Sequence, residues 1–107
     1  MKIRLHEREY RVRCADSFGT RLKGLMGEDS LPEGEGLLLM NCGAIHCCFM
    51  KFPIDAVYFD RDGKVVGKET VKPWRVGKII PGVKCVLELN EGEASAIEAG
   101  DEMSFVI

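Results

Sequence analysis

The sequence predicts an α+β, mainly β fold: a partly closed or strongly curved antiparallel, barrel-like sheet with one or two short helices. Three observations carry this. Apolar and charged residues alternate with period two in several short segments. Only one stretch holds apolar residues at helical spacing. The strand candidates also follow one another too closely for a doubly wound parallel sheet. With 107 residues and no internal repeat, the chain reads as a single domain over 1–107.

The elements follow in order. Ile3 and Leu5, then Tyr10, Val12 and Cys14, alternate with Arg4, Arg11 and Arg13. This predicts a hairpin with one wet face and a polar turn at His6–Glu9. Asp16 or Ser17 offers an N-cap, and Phe18, Leu22, Leu25 and Met26 recur at helical spacing. Gly24 and Gly27 limit that helix to about two or three turns. Residues 28–36 (EDSLPEGEG) form a surface connector. Leu37 to Asn41 is a continuous apolar run, as expected of a strand covered on both faces. Ile54 to Asp60 is a strand whose hairpin partner, residues 64–71, follows the Asp62-Gly63 turn. Residues 72–82 read as a long loop or a distorted edge strand. Val83 to Leu89 alternates, with Lys84 and Glu88 sharing a face. A short helical turn is expected over Glu93 to Glu98, and a last strand from Gly100-Asp101 through Ile107.

Composition excludes several classes. Hydrophobic residues at 46% and charged residues at 30% exclude a disordered or collagen-like chain. A net charge of −2, from 15 basic and 17 acidic residues, removes the footprint of a nucleic-acid partner. No apolar run approaches the ~18 residues of a membrane span, so no membrane partner is expected. The N-terminal residues lack the apolar run of a signal peptide, which points to a cytoplasmic protein with reduced thiols.

The five cysteines, Cys14, Cys42, Cys47, Cys48 and Cys85, are odd in number and include no C-x-x-C pair. Adjacent Cys47 and Cys48 would point to opposite faces of a strand, so no metal site and no cofactor is expected. Packing is the default role of these thiols. No third group orients a Cys–His pair for thiol catalysis.

The densest chemistry lies in residues 41–55, NCGAIHCCFMKFPID. His46 is read either as a turn or core histidine bonded to backbone, or as an acid–base group. Asp55 shares a strand face with Val57 and Phe59, while Ile54, Ala56 and Tyr58 take the other. Neither face is wet, so its carboxylate needs partners. It either anchors the turn after Pro53 or contacts a ligand in a pocket with His46, with Lys51 available to neutralise it. Trp74, within Lys72-Pro73-Trp74-Arg75, is a lid on a barrel mouth or a ligand stacker. Glu88, on the face of Lys84, is expected to be a solvated cross-strand partner. Arg4, Arg8, Arg11 and Arg13 form a solvated face.

Together these residues resemble the domain of unknown function 192 family. The landmarks are Arg21…Gly24-Leu25-Met26, Gly36-Leu37-Leu38-Leu39, Ile45-His46, Phe49-Met50-Lys51-Phe52-Pro53-Ile54-Asp55, Pro73-Trp74-Arg75, Val86-Leu87-Glu88-Leu89 and Gly100-Asp101. The resemblance implies a small, mainly β domain with no firmly assigned activity. It places His46, Met50, Asp55 and Glu88 at the family's characteristic polar and sulfur positions. Cys47 and Cys48 depart from the usual Thr and aromatic, so a thiol mechanism shared by the family is not implied.

The resulting expectation is a binding module for a small molecule or a peptide. Its pocket would lie near His46 and Asp55, lined by Phe49, Met50 and Trp74, with Glu88 carried over from the resemblance. One alternative is a small enzyme with His46 and Asp55 as an acid/base pair. The other is a purely structural or interaction domain, its partner a protein.

Overall fold

Three segments too apolar to keep a wet face become the middle of the sheet: Leu37–Leu39, Ile54–Phe59 and Val86–Leu89. The computed structural model describes residues 1–47 and 49–106, with Phe18 described by its backbone alone. Around the middle strands run β1 (Lys2–Leu5), β2 (Arg8–Ala15), α1 (Phe18–Lys23), β3 (Glu35–Met40), β4 (Ile54–Phe59), β5 (Val65–Val71), β6 (Cys85–Asn90) and β7 (Ser104–Val106). They form one seven-stranded sheet in the order β5-β4-β6-β3-β2-β1-β7.

Every pairing is antiparallel except β2 with β3, where Arg11 to Ala15 run alongside Glu35 to Leu39 in the same direction. The all-antiparallel expectation fails there because α1 and the connector carry the chain back to the starting end, as a crossover does. Ser17 caps α1 by accepting from Thr20 N–H, and the Thr20 hydroxyl accepts from Ser17 N–H. The helix closes at Gly24, whose φ of 49° favours glycine. It is shorter than the apolar spacing suggested, and Leu25 is buried beyond its end. Residues 91–96 are turns, so the helical turn expected over Glu93 to Glu98 is absent.

Side chains fall into two cores, one on each face. The first holds Leu37, Leu39, Ile54, Ala56, Tyr58 and Val86, with Ile45, Cys47 and Met50 from the loop before β4. The second holds Leu38, Val57, Phe59, Leu87 and Leu89, with Ile3, Leu5 and Tyr10 from the first hairpin. Between Tyr58 and Phe59 the register with β5 shifts, so Val65 joins the second core and Val71 the first. The sheet does not close. Its two ends are nevertheless linked, because Val65 N–H donates to Asp101 O (2.8 Å) and Met103 N–H to Gly63 O (2.9 Å), around a bridge of Lys64 with Glu102.

Candidate functional site

The two loops richest in candidate residues, 41–53 and 72–84, lie against each other. Cys47 N–H donates to Arg75 O (2.7 Å), Trp74 N–H to Cys47 O (2.7 Å) and Gly77 N–H to Ile45 O (2.9 Å), with His46 bridging Val76. Three short bonds across two loops form a miniature antiparallel ladder, which holds backbone that would otherwise be mobile. Gly27 N–H donates to Phe49 O, and His46 Nε2, as the protonated tautomer, donates to Leu22 O at 3.2 Å. The end of α1 is thereby tied to the same loops.

A polar pair of buried Tyr58 and half-buried Glu69 anchors this assembly from below. The Tyr58 hydroxyl donates to Glu69 Oε2 (2.6 Å), and the same oxygen accepts from Lys78 N–H (2.6 Å). Burial, followed by the Glu69 carboxylate that accepts its proton, pushes the Tyr58 phenol well up. Gly77 lies over this pair. A Cβ there would collide with the Tyr58 hydroxyl and come within 2.8 Å of Ile45 Cγ1.

The outward face carries two aromatic rings. Phe49 and Trp74 meet with centroids 4.6 Å apart and planes at 58°. They remain 60% and 61% exposed, and Trp74 lines none of four clefts lined by described residues. Both occupy left-handed backbone, at φ of 61° and 67°, which costs about 1 kcal/mol or more for such residues. The surrounding clamps compel that conformation and direct both rings outward. Leu22 is exposed beside them, and Val76 and Ile79 are 72% and 83% exposed on the same loop. Lys72, Arg75 and Lys78 belong to the same loop as Trp74, and Lys23 follows Leu22; all are exposed and none is in an ion pair among the described residues. No Asp or Glu occurs in residues 17–27, 36–54 or 70–87. In a chain of net charge −2, the charged residues of these stretches are all basic, and Glu69 and Asp29 are acids bonded to them.

The remaining candidates lie elsewhere. Met50 is buried in the first core beneath the loop and offers no exposed sulfur. Asp55 turns away from this core. Its Oδ1 accepts from the Thr70 hydroxyl (2.7 Å), and its Oδ2 accepts from Gly92 N–H (2.9 Å) and Ala94 N–H (3.1 Å). Thus it fastens the turn after β6 rather than the turn after Pro53, and Lys51 pairs with Asp29 instead (2.9 Å). A cleft of about 300 Å³ opens beside it, lined by Lys68, Glu69, Thr70, Glu91 and Ser95 but not by His46. Lys68 spends its ammonium group on Ala94 O and Ser95 O.

Glu88 overturns the expectation of a solvated partner, being only 3% exposed. The alternation with Lys84 misled because β6 lies between β3 and β4 and both its faces are covered. Its carboxyl lies beneath Gly24, where a Cβ would stand 3.8 Å from Oε1. Burial pushes it up to about 8, so near neutrality it is mostly the uncharged acid. Cys14, Cys42 and Cys85 are free thiols, and burial pushes Cys14 up. Cys48 lies outside the described residues.

The sequence reading missed Tyr58–Glu69 as the anchor, and Leu22, Val76 and Ile79 as surface. The acid-free stretches were visible in the sequence, but only the fold reveals that three of them meet.

Fold and site together define a class: a small, mainly β protein built on one two-faced sheet, with an exposed aromatic loop end. The chain belongs to the DUF192 family, described as "Uncharacterized ACR", whose model matches residues 1–105. It is similar to a UPF0127 protein of Thermococcus sibiricus, 29% identical over 103 residues, covering 91% of this chain and 67% of that protein. A UPF0127 protein of Pyrococcus horikoshii is 31% identical over 102 residues, covering 91% and 89%. A crystal structure of a protein of unknown function from Novosphingobium aromaticivorans shares the fold with a TM-score of 0.89 at 20% identity, covering 97% of this chain and 84% of that one.

Proposed function

We propose that the protein is a non-catalytic binding module whose recognition surface is the loop end around His46, Phe49 and Trp74. The ligand it suits is anionic with an apolar portion. The observation that carries this reading is the exposed Phe49–Trp74 pair, on a loop end whose Lys72, Arg75 and Lys78 make no ion pair among the described residues. Aromatic faces supply contact area at low entropic cost, and unpaired Lys and Arg supply attraction for a negative group. The acid/base reading has less support. Asp55 projects with the second core, its two oxygens already accept three bonds, and His46 Nε2 is committed to Leu22 O.

Trp74 is the only tryptophan, so its emission reports on the surface directly. Titration with monomeric decyl phosphate should shift that emission to the blue in a saturable way. The Phe49→Ala and Lys72→Glu variants should weaken the response. A response equal in wild type and both variants would remove this surface from consideration.

A further inference from the structure

Resting on that reading, we infer that the loop end docks onto an anionic lipid surface, with Phe49, Trp74, Val76 and Ile79 entering the headgroup region and Lys72, Arg75 and Lys78 reaching lipid phosphates. Shape comes first. None of these apolar side chains lines any of four clefts lined by described residues. Protruding tips suit a broad, yielding plane better than they grip a peptide, which needs a groove.

Chemistry points the same way. Along residues 72–79, KPWRVGKI, cations alternate with apolar side chains. Lys and Arg extend their heads toward phosphate while their stems lie along apolar surface, and tryptophan favours the membrane–water boundary. The rings are presented rigidly, since the Cys47–Arg75 and Trp74–Cys47 bonds hold both loops, so little ordering is required on contact. Charge then orients the molecule. Its net charge of −2 would be repelled by an anionic bilayer, but the loop carrying Lys72, Arg75 and Lys78 would be drawn to it, with Glu69 an acid bonded to that loop. Attraction of this kind decays within about 8 Å at physiological salt, so binding should fall with ionic strength.

The test is co-sedimentation of the full chain with vesicles of phosphatidylglycerol and phosphatidylcholine, against phosphatidylcholine alone. The expected result is binding to the anionic vesicles only, with quenching of Trp74 by lipids brominated on their acyl chains. Joint Lys72→Glu, Arg75→Glu and Lys78→Glu substitution should weaken binding by about 100-fold or more, since each cation near such a surface is worth about fivefold. The separate Ile79→Ser variant, an exposed position whose folding is checked by its thermal melt, should also bind less. Equal binding to both vesicle types, or unchanged binding in the charge-reversed variant, would overturn the inference. So would sedimentation equilibrium showing a dimer that buries Trp74, or binding of polyglutamate without binding of vesicles. A decyl phosphate response without vesicle binding overturns the lipid inference alone, whereas silence to both probes overturns the recognition surface as well.

Discussion

Asp55 and Glu88 stand one rung apart on the neighbouring strands β4 and β6, yet they turn their carboxyls to opposite faces of the sheet. Asp55 is opposite Leu89 and Glu88 is opposite Ala56. Both are buried, at 6% and 3% exposure. Asp55 accepts three hydrogen bonds, whereas Glu88 makes no side-chain hydrogen bond or ion pair among the described residues. Two carboxyls in adjacent rungs therefore have opposite energetic consequences.

Glu88 makes stability depend on pH. Its folded value of about 8 lies above the 4.5 of the free group, so the folded state holds this proton more tightly than the unfolded chain. The associated stability is fully present below pH 4.5 and is lost as pH rises through 8. The whole span amounts to on the order of 5 kcal/mol. Urea denaturation at pH 5 and pH 9 should show the wild type weakening steeply. Glu88→Gln, neutral at both values, should flatten the profile. Parallel profiles for the two proteins would contradict this account.

Asp55 is expected to act as an anchor. Asp55→Asn keeps an oxygen for Gly92 and Ala94 N–H and can donate its amide to the Thr70 hydroxyl, but it loses the charge that strengthens these bonds, which should cost about 1–2 kcal/mol. Thr70→Val removes one of the three bonds and should cost about 1 kcal/mol. Amide exchange at Gly92 and Ala94 should speed up in the first variant much more than in the second.

Gly77 and Tyr58 should prove coupled. Gly77→Ala places a methyl against the Tyr58 hydroxyl and Ile45, an overpacking expected to cost about 1–3 kcal/mol. Tyr58→Phe removes that hydroxyl, along with its bond to Glu69. The double variant should be less destabilised than the sum of the two singles, as a double-mutant cycle would reveal. Strict additivity would mean that the loop shifts bodily away from β4.

Phe49 offers a separation of stability from recognition. Phe49→Gly relieves a left-handed backbone worth about 1 kcal/mol and forfeits a ring contact of about 0.5–1.5 kcal/mol. Thermal melting should change by a few degrees at most, while the response of Trp74 to anionic amphiphiles should fall severalfold. A large loss of stability would recast the ring pair as structural.

His46 is expected to tie α1 to the loops. His46→Ala should loosen the end of α1 at a cost of about 1 kcal/mol, with faster amide exchange at Gly24. His46→Gln retains a donor and should restore part of the protection.

Much of the fold is legible in the sequence because alternation and turn chemistry are local. The Asp62-Gly63 turn, the Ser17 cap and the continuous runs of β3 and β4 follow from neighbouring residues alone. Glu88 was misread because alternation identifies which residues share a face without revealing what covers it. The parallel pairing of β2 with β3 depends on where a crossover lands, which no local pattern encodes. His46 and Asp55 are nine positions apart, and that nearness suggested a shared pocket. The strand pleat and the intervening loop separate them instead. Phe49 and Trp74 are 25 positions apart and meet only because two loops pair their backbones.

The link between the two ends of the sheet has a consequence for solution behaviour. Residues 100–103 bond to the start of β5, and residues 104–106 continue as the partner of β1. One short stretch thereby covers the border at β1 and the beginning of the border at β5. Loosening it, for example by breaking the contact of His6 Nδ1 with Asp101 Oδ2 (3.2 Å), would bare two templates at once. Strand addition at β1 and at the start of β5 is thus opposed by the same seven residues, 100–106, most of them outside either core.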